Sequence, residues 1–185
     1  MTNENIPVFY IPGYNSSGNT TNALKKHFPM LTELTYEVDK PSESLNRMNQ
    51  QIANLNESKV ILIASSLGGW FAERLSAIVM STKLKIVLYN PSINAESNLA
   101  KYGLAPSVLN EYVELKAKYS SQFEGVTRVA IISVDDDVVD PPTNIKFYAG
   151  RAELIPTDGG HRMTEENLEW VVDRTRVSFG VVLKN

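Results

Sequence analysis

Apolar residues fall along this chain in short blocks of two different periods. The runs "VFYI" (8–11), "KVILIA" (59–64), "KIVLYN" (85–90) and "RVAIISV" (128–134) are nearly continuous, which predicts strands buried in a core. "ELTYEV" (33–38) reads as a further short strand and "AELIPT" (152–157) as the last one. Between them the period lengthens to that of a helix. Helices are predicted over 21–28 and 68–80, the first preceded by a polar Gly/Asn/Ser loop at 13–20. In "SESLNRMNQQIANLN" (42–56), Leu45, Met48, Ile52 and Leu55 share one face, and Ser42 or Ser44 can cap the start. "TEENLEWVVDRTRVSF" (164–179) is the final helix, with Thr164 and Glu166/Asn167 suited to its first turn.

Strands alternating with helices predict an α/β fold: a three-layer sandwich with a mostly parallel sheet and helices on both faces. No change of composition regime, repeat or low-complexity tract divides the chain, so one domain over 1–185 is expected. Residues 92–123 break the rhythm. They interpose helical sequence, including "PSVLNEYVELKAKY", between two strands, and read as a small helical insertion placed as a lid over a site.

Composition narrows the partners. Hydrophobic residues make up 43% and charged residues 21%, as in an ordinary soluble globular protein. Net charge is -3, pI is about 5.5, and no Lys/Arg-rich tract appears, so nothing favours nucleic acid or an anionic membrane. The chain has no cysteine, which excludes disulfides, thiolate metal sites and cysteine nucleophiles and fits a cytoplasmic location. "MTNENIPVFYIPGYNSSG" lacks the basic-then-apolar pattern of a signal peptide. No apolar run approaches the roughly 20 residues of a membrane span.

Candidate chemistry begins where the third strand stops. In "VILIASSLGGWFAERL" (60–75) an apolar run gives way to two serines and two glycines before a helical pattern. Ala64-Ser65-Ser66-Leu67-Gly68 is nearly the G-x-S-x-G nucleophile elbow, with alanine in place of the first glycine. Small residues two positions from the serine allow a strained strand-to-helix turn that lifts its hydroxyl above the sheet. The N–H of Leu67 then faces a developing oxyanion, at the positive end of the next helix. A plain turn whose serine caps the helix is the alternative; the strand–turn–helix setting favours the nucleophile. Ser65 is one position off and reads as structural.

A serine nucleophile needs a base, and the base needs an orienting acid. Of the two histidines, His27 in "ALKKHFP" reads as a surface residue at a helix end. His161, in "IPTDGGHRMTEE", follows the last strand, and Gly159 and Gly160 let its loop turn back over the sheet. The acid is expected between serine and histidine in chain order. "ISVDDDVVDPP" (132–142) supplies Asp135, Asp136, Asp137 and Asp140; Asp136 is the choice, with the other three as rivals. Asp140 also suits the start of a Pro141-Pro142 turn, and Asp158 reads as a turn residue. After the first strand, "YIPGYNSSGNT" (10–20) offers a second oxyanion donor, the Tyr14 N–H, with Gly13 allowing close approach. The same loop lacks both the Lys-Ser/Thr end of a phosphate loop and G-x-G-x-x-G spacing, which argues against nucleotide binding. Asn15, Trp70 and parts of 92–123 are candidates for the substrate pocket; Trp70 is equally suited to packing on the elbow helix.

Together these residues resemble the α/β-hydrolase superfamily, and more closely the small bacterial YqiA-type esterases. The segments that carry the resemblance are "PGYNSS" (12–17), "SSLGGW" (65–70), "YNPSI" (89–93), "DDVV" (136–139) and "GGH" (159–161), in order along most of the chain. The resemblance implies Ser66, Asp136 and His161 as a catalytic triad, Tyr14 and Leu67 as oxyanion donors, hydrolysis of short acyl esters, and no metal or organic cofactor. Two positions depart from the pattern: Pro12 stands where the family has histidine, and Ala64 where the elbow has its first glycine.

The reading that results is a serine hydrolase acting on a carboxylic ester or thioester of a small acyl substrate. An amide or peptide hydrolase on the same triad is a second reading, because pocket contacts rather than the triad set the leaving group. A non-catalytic binding module on the same fold is a third, since fold does not entail activity.

Overall fold

The computed structural model describes residues 6–55, 59–79, 83–121 and 123–180. Among these, six strands and seven helices alternate: β1 (Val8–Ile11), α1 (Asn19–His27), β2 (Thr32–Glu33), α2 (Pro41–Ala53), β3 (Val60–Ser65), α3 (Leu67–Ile78), β4 (Leu84–Tyr89), α4 (Ala95–Ala100), α5 (Pro106–Lys118), β5 (Thr127–Ser133), α6 (Pro141–Tyr148), β6 (Glu153–Thr157) and α7 (Glu165–Phe179). Every strand pairing is parallel, in the order β2-β1-β3-β4-β5-β6. The expected three-layer sandwich is therefore present, and its sheet is parallel throughout.

The continuous apolar runs of the sequence form the inner strands, whose alternate side chains feed two cores. On one face Val8, Tyr10, Ile61, Ile63, Val87 and Tyr89 pack against α1 and α7. On the other, Phe9, Ile11, Leu62, Ala64, Ile86 and Leu88 pack against α2, α3, α4, α5 and α6. Parallel strands place all their carboxyl ends on one edge. The chain steps outward from β1 to β2, then returns to β3 and proceeds the other way. Strand order reverses between β1 and β3, the position where open α/β sheets leave a crevice at the carboxyl edge.

Several local expectations change. The strand expected over 33–38 shrinks to Thr32–Glu33. Beyond the bond from Leu34 N–H to the Tyr10 carbonyl, the backbone finds partners off the sheet. Ser44 Oγ accepts from Glu37 N–H at 2.9 Å, and Tyr112 on α5 donates to the Val38 carbonyl at 3.1 Å. Neither Ser42 nor Ser44 caps α2. Its N-cap is Lys40, with Pro41 at the first helical position, where a missing N–H costs nothing. A helix that the apolar pattern does not reveal, α6, begins at the paired prolines and is capped by Asp140, which accepts from Thr143 N–H at 3.1 Å. Thr164 caps α7 as expected, accepting from Asn167 N–H. Met80 and Asn56, expected at the ends of two helices, lie outside the described residues.

The insertion holds α4 and α5. The second of these is part of the core: Tyr112 is buried against Trp70, with ring centroids 4.7 Å apart. Only the α4 side reaches the crevice.

Candidate active site

The segments that follow β1, β3, β4, β5 and β6 contribute to one cleft of about 900 Å3 at the carboxyl edge of the sheet. After β3 the chain turns at Ser66 with φ 49° and ψ -122°, a conformation that ordinary residues avoid. Two hydrogen bonds and two glycines hold the turn. Ser66 N–H donates to the Tyr89 carbonyl at 3.0 Å, and the Ser66 carbonyl accepts from Ser92 N–H at 2.8 Å. A Cβ at Gly68 would lie 2.1 Å from the Ile11 carbonyl oxygen, so only glycine lets α3 start against β1. A Cβ at Gly69 would lie 2.6 Å from Pro91 Cβ. Ala64 is buried in the core on the face packed against α3.

The Ser66 hydroxyl lies 2.9 Å from His161 Nε2, and His161 Nδ1 lies 2.8 Å from Asp136 Oδ2. The structure thus brings the three residues into one hydrogen-bonded line from three separate strand ends. Asp136 is buried, and its other oxygen accepts from the Val138 and Val139 N–H groups at 2.7 and 2.9 Å. Both carboxylate oxygens are therefore satisfied, and Oδ2 is aimed at the imidazole. His161 stays partly open to the cleft.

The rivals of Asp136 fall into other positions. Asp140 caps α6. Asp137 is exposed on the cleft rim. Asp135 braces the histidine loop: its carboxylate accepts from Ser133 Oγ at 2.6 Å, from Gly160 N–H at 2.9 Å and from Gly159 N–H at 3.3 Å. These bonds, led by Ser133, hold its carboxyl down to about 2. The Asp158 carbonyl accepts from Asn167 Nδ2, in keeping with a turn role. His27 ends α1, half-buried, and takes no part in the cleft.

Leu67 opens α3, where the first N–H groups of a helix have no intrahelical acceptor. Gly13 comes so close that a Cβ there would lie 3.0 Å from Ser66 Cβ, and Tyr14 follows it on the cleft wall. Asn15, with φ 56°, also lines the cleft. Trp70 does not. It is fully buried between Phe71 and Tyr112, on the part of α3 that turns into the core, so the aromatic belongs to packing and not to the pocket. Ser65 points to the α1 face, 2.8 Å from the Tyr10 hydroxyl. From the insertion, Asn98, Leu99 and Tyr102 line the cleft, and Tyr102 meets Tyr14 edge-to-face at 5.3 Å. Among the described residues no three His, Asp or Glu side chains converge where a metal ion could be held. No described helix is long and apolar enough to cross a membrane.

Positioning residues that the sequence does not flag surround the histidine loop. Asn90, buried and at φ 43°, donates from Nδ2 to the Gly160 carbonyl at 2.9 Å and accepts from Ser133 N–H at 2.7 Å. Tyr89 donates to the Gly160 carbonyl at 3.1 Å, and Asn167 Nδ2 donates to the Tyr89 hydroxyl at 2.9 Å. Burial pushes the Tyr89 phenol up to about 12, so it stays a donor. An Asn-Pro after a strand is the only sequence signal for this clamp.

The parallel sheet and the arrangement of its loops are those of the α/β-hydrolase fold. Mouse alpha/beta hydrolase domain-containing protein 10 superposes with a TM-score of 0.75 at 13% identity, covering 97% of this chain and 92% of that one. A structure of LipS and LipT, two metagenome-derived lipolytic enzymes, superposes with a TM-score of 0.71 at 16% identity, covering 94% and 93%. At such identities the likeness is one of fold. The chain belongs to the uncharacterised protein family UPF0227, which matches residues 7–172. The UPF0227 protein of Vibrio vulnificus strain CMCP6 is 26% identical over 162 residues, 82% of this chain and 87% of that relative.

Proposed function

We propose that this protein is a serine hydrolase that cleaves a carboxylic ester or thioester through an acyl-enzyme. The observation that carries the reading is the Ser66–His161–Asp136 line at 2.9 and 2.8 Å, with Ser66 at a positive φ above the sheet edge. Lipolytic enzymes are among the proteins that share the fold, which supports the same class.

In this reading His161 Nε2 takes the Ser66 proton as Oγ attacks the carbonyl carbon. Asp136 accepts from Nδ1–H, fixes the tautomer and stabilises the imidazolium. The Leu67 and Tyr14 N–H groups receive the negative oxygen of the tetrahedral intermediate, where preorganised donors cost no reorganisation. His161 then passes its proton to the departing alcohol oxygen as the C–O bond breaks. Water, deprotonated by His161, attacks the acyl-serine carbonyl; as the C–Oγ bond breaks His161 returns the proton to Ser66 Oγ and the carboxylic acid leaves. Asn15 stands at the mouth as a substrate contact.

The test is hydrolysis of p-nitrophenyl acetate by the native chain and by Ser66→Ala, with folding checked by circular dichroism. The expected loss is roughly a thousandfold or more. Equal turnover by a folded Ser66→Ala would overturn the assignment.

A further inference from the structure

The cleft is larger and more divided than a short alkyl ester needs. Its volume of about 900 Å3 lies near the top of the range for small-molecule sites, about 300–1,000 Å3. It straddles the carboxyl edge of the sheet, and the two sides differ in chemistry. On the α1 side the wall is hydroxyl and amide: Ser16, Ser17, Asn19, Thr20 and the Tyr10–Ser65 pair. The side chains of Ser16, Ser17 and Asn19 make no hydrogen bond to another described residue, so their donors and acceptors face the cleft or solvent. On the α4 side the polar groups of Asn98 and Ser92 are paired with each other at 2.7 Å, and the rest of the wall is largely apolar. Leu99, Val138 and Val139 line it, and the Tyr14–Tyr102 pair closes it.

The histidine loop borders both sides, since Asp136, on His161 Nδ1, also accepts from the Val138 and Val139 N–H groups. Tyr89 and Asn167 anchor that loop from the α1/α7 face, and Met163 packs on the same face. The oxygen that His161 protonates must lie within reach of Nε2, and an alcohol carrying further hydroxyls finds free hydrogen-bond partners on the α1-side wall. The acyl group then lies toward Leu99 and Val139. Charge narrows the alcohol further. Apart from His161, the charged residues on the cleft wall among the described residues are Arg162 and Asp137, one of each sign, so the lining sets up no net field that favours an anionic leaving group such as a phosphorylated thiol.

The geometry points to an ester of a neutral polyhydroxylated alcohol, a sugar or polyol carrying a short acyl group, as the substrate class of this site. The inference rests on the serine-hydrolase reading. Ser16, Ser17 and Asn19 are then specificity-determining residues for the alcohol, and the products are a free sugar or polyol and a carboxylic acid.

The experiment compares kcat/KM of the purified protein for methyl 6-O-acetyl-glucoside and for cyclohexylmethyl acetate, a match in ring size without the hydroxyls, with acetyl-coenzyme A as a third substrate. Two or more hydrogen bonds retained to the sugar predict a preference of about tenfold or more over the cyclohexyl ester. The pair Ser16→Val and Asn19→Leu, both exposed positions, is expected to bring that ratio close to one. A native ratio near one, a ratio unchanged in the double variant, or faster turnover of acetyl-coenzyme A would overturn the substrate class while p-nitrophenyl acetate hydrolysis leaves the hydrolase reading standing. No hydrolysis of any of these esters, including p-nitrophenyl acetate, would take down both.

Discussion

Asn90 Nδ2 donates to the Gly160 carbonyl at 2.9 Å, joining the end of β4 to the residue before His161. Its Oδ1 simultaneously receives the Ser133 N–H, three residues before Asp136. One buried amide therefore sets the spacing between the loops that carry base and acid. Asn90→Ala is expected to lower kcat by about 100-fold, because a small displacement of the reacting groups has that effect. KM should change little, since Asn90 does not line the cleft. Steady-state kinetics make the check; a rise in KM with kcat unchanged would place Asn90 in binding instead.

Asp135 is a brace whose strength depends on pH. Its carboxyl is held down to about 2 from its ordinary 3.8, first by Ser133 and then by Gly160 N–H. A depressed carboxyl stabilises the fold above its unfolded value and loses that contribution as pH falls through the folded value. The Tm difference between the native chain and Asp135→Asn should therefore be constant above about pH 4. It should shrink toward zero between 3.8 and about 2. Thermal unfolding across pH checks this, and a difference that grows on acidification would contradict it.

The elbow helix is tied to the acid's strand by a buried ion pair. Arg128 on β5 meets Glu73 on α3 through Nε and Nη2, both at 3.1 Å, and the Tyr148 hydroxyl adds a third bond at 3.1 Å. Arg128→Met leaves Glu73 buried without the cation that hydrogen-bonds it and should destabilise by about 3–5 kcal/mol. Glu73→Leu with Arg128→Met should recover much of that loss. Calorimetric Tm values for the single and double variants decide; a double variant worse than the single would show that the pair itself is net stabilising.

The parts legible in the sequence are those with local signatures. Long apolar runs marked β1, β3, β4 and β5, and the chain order of Ser66, Asp136 and His161 at successive strand ends marked the residues the fold brings together. Tertiary partners erased local signals elsewhere. Tyr36 and Val38 look like strand residues because they are apolar, yet they pack against the helical face while the backbone bonds to Ser44 and Tyr112. The α6 helix was hidden by Pro141-Pro142, which read as a turn. Glu73 and Arg128 are charged, and only their long-range pairing makes burial possible. Trp70 follows the elbow closely in sequence, but the helix carries it one turn inward.

The central claim is that Ser66 is an activated nucleophile, and intact-protein mass spectrometry after fluorophosphonate treatment tests it most directly. One adduct is expected on the native chain, mapping to Ser66 and lost in both Ser66→Ala and His161→Ala. A folded native chain that takes no adduct, or takes it at another residue, would contradict the account.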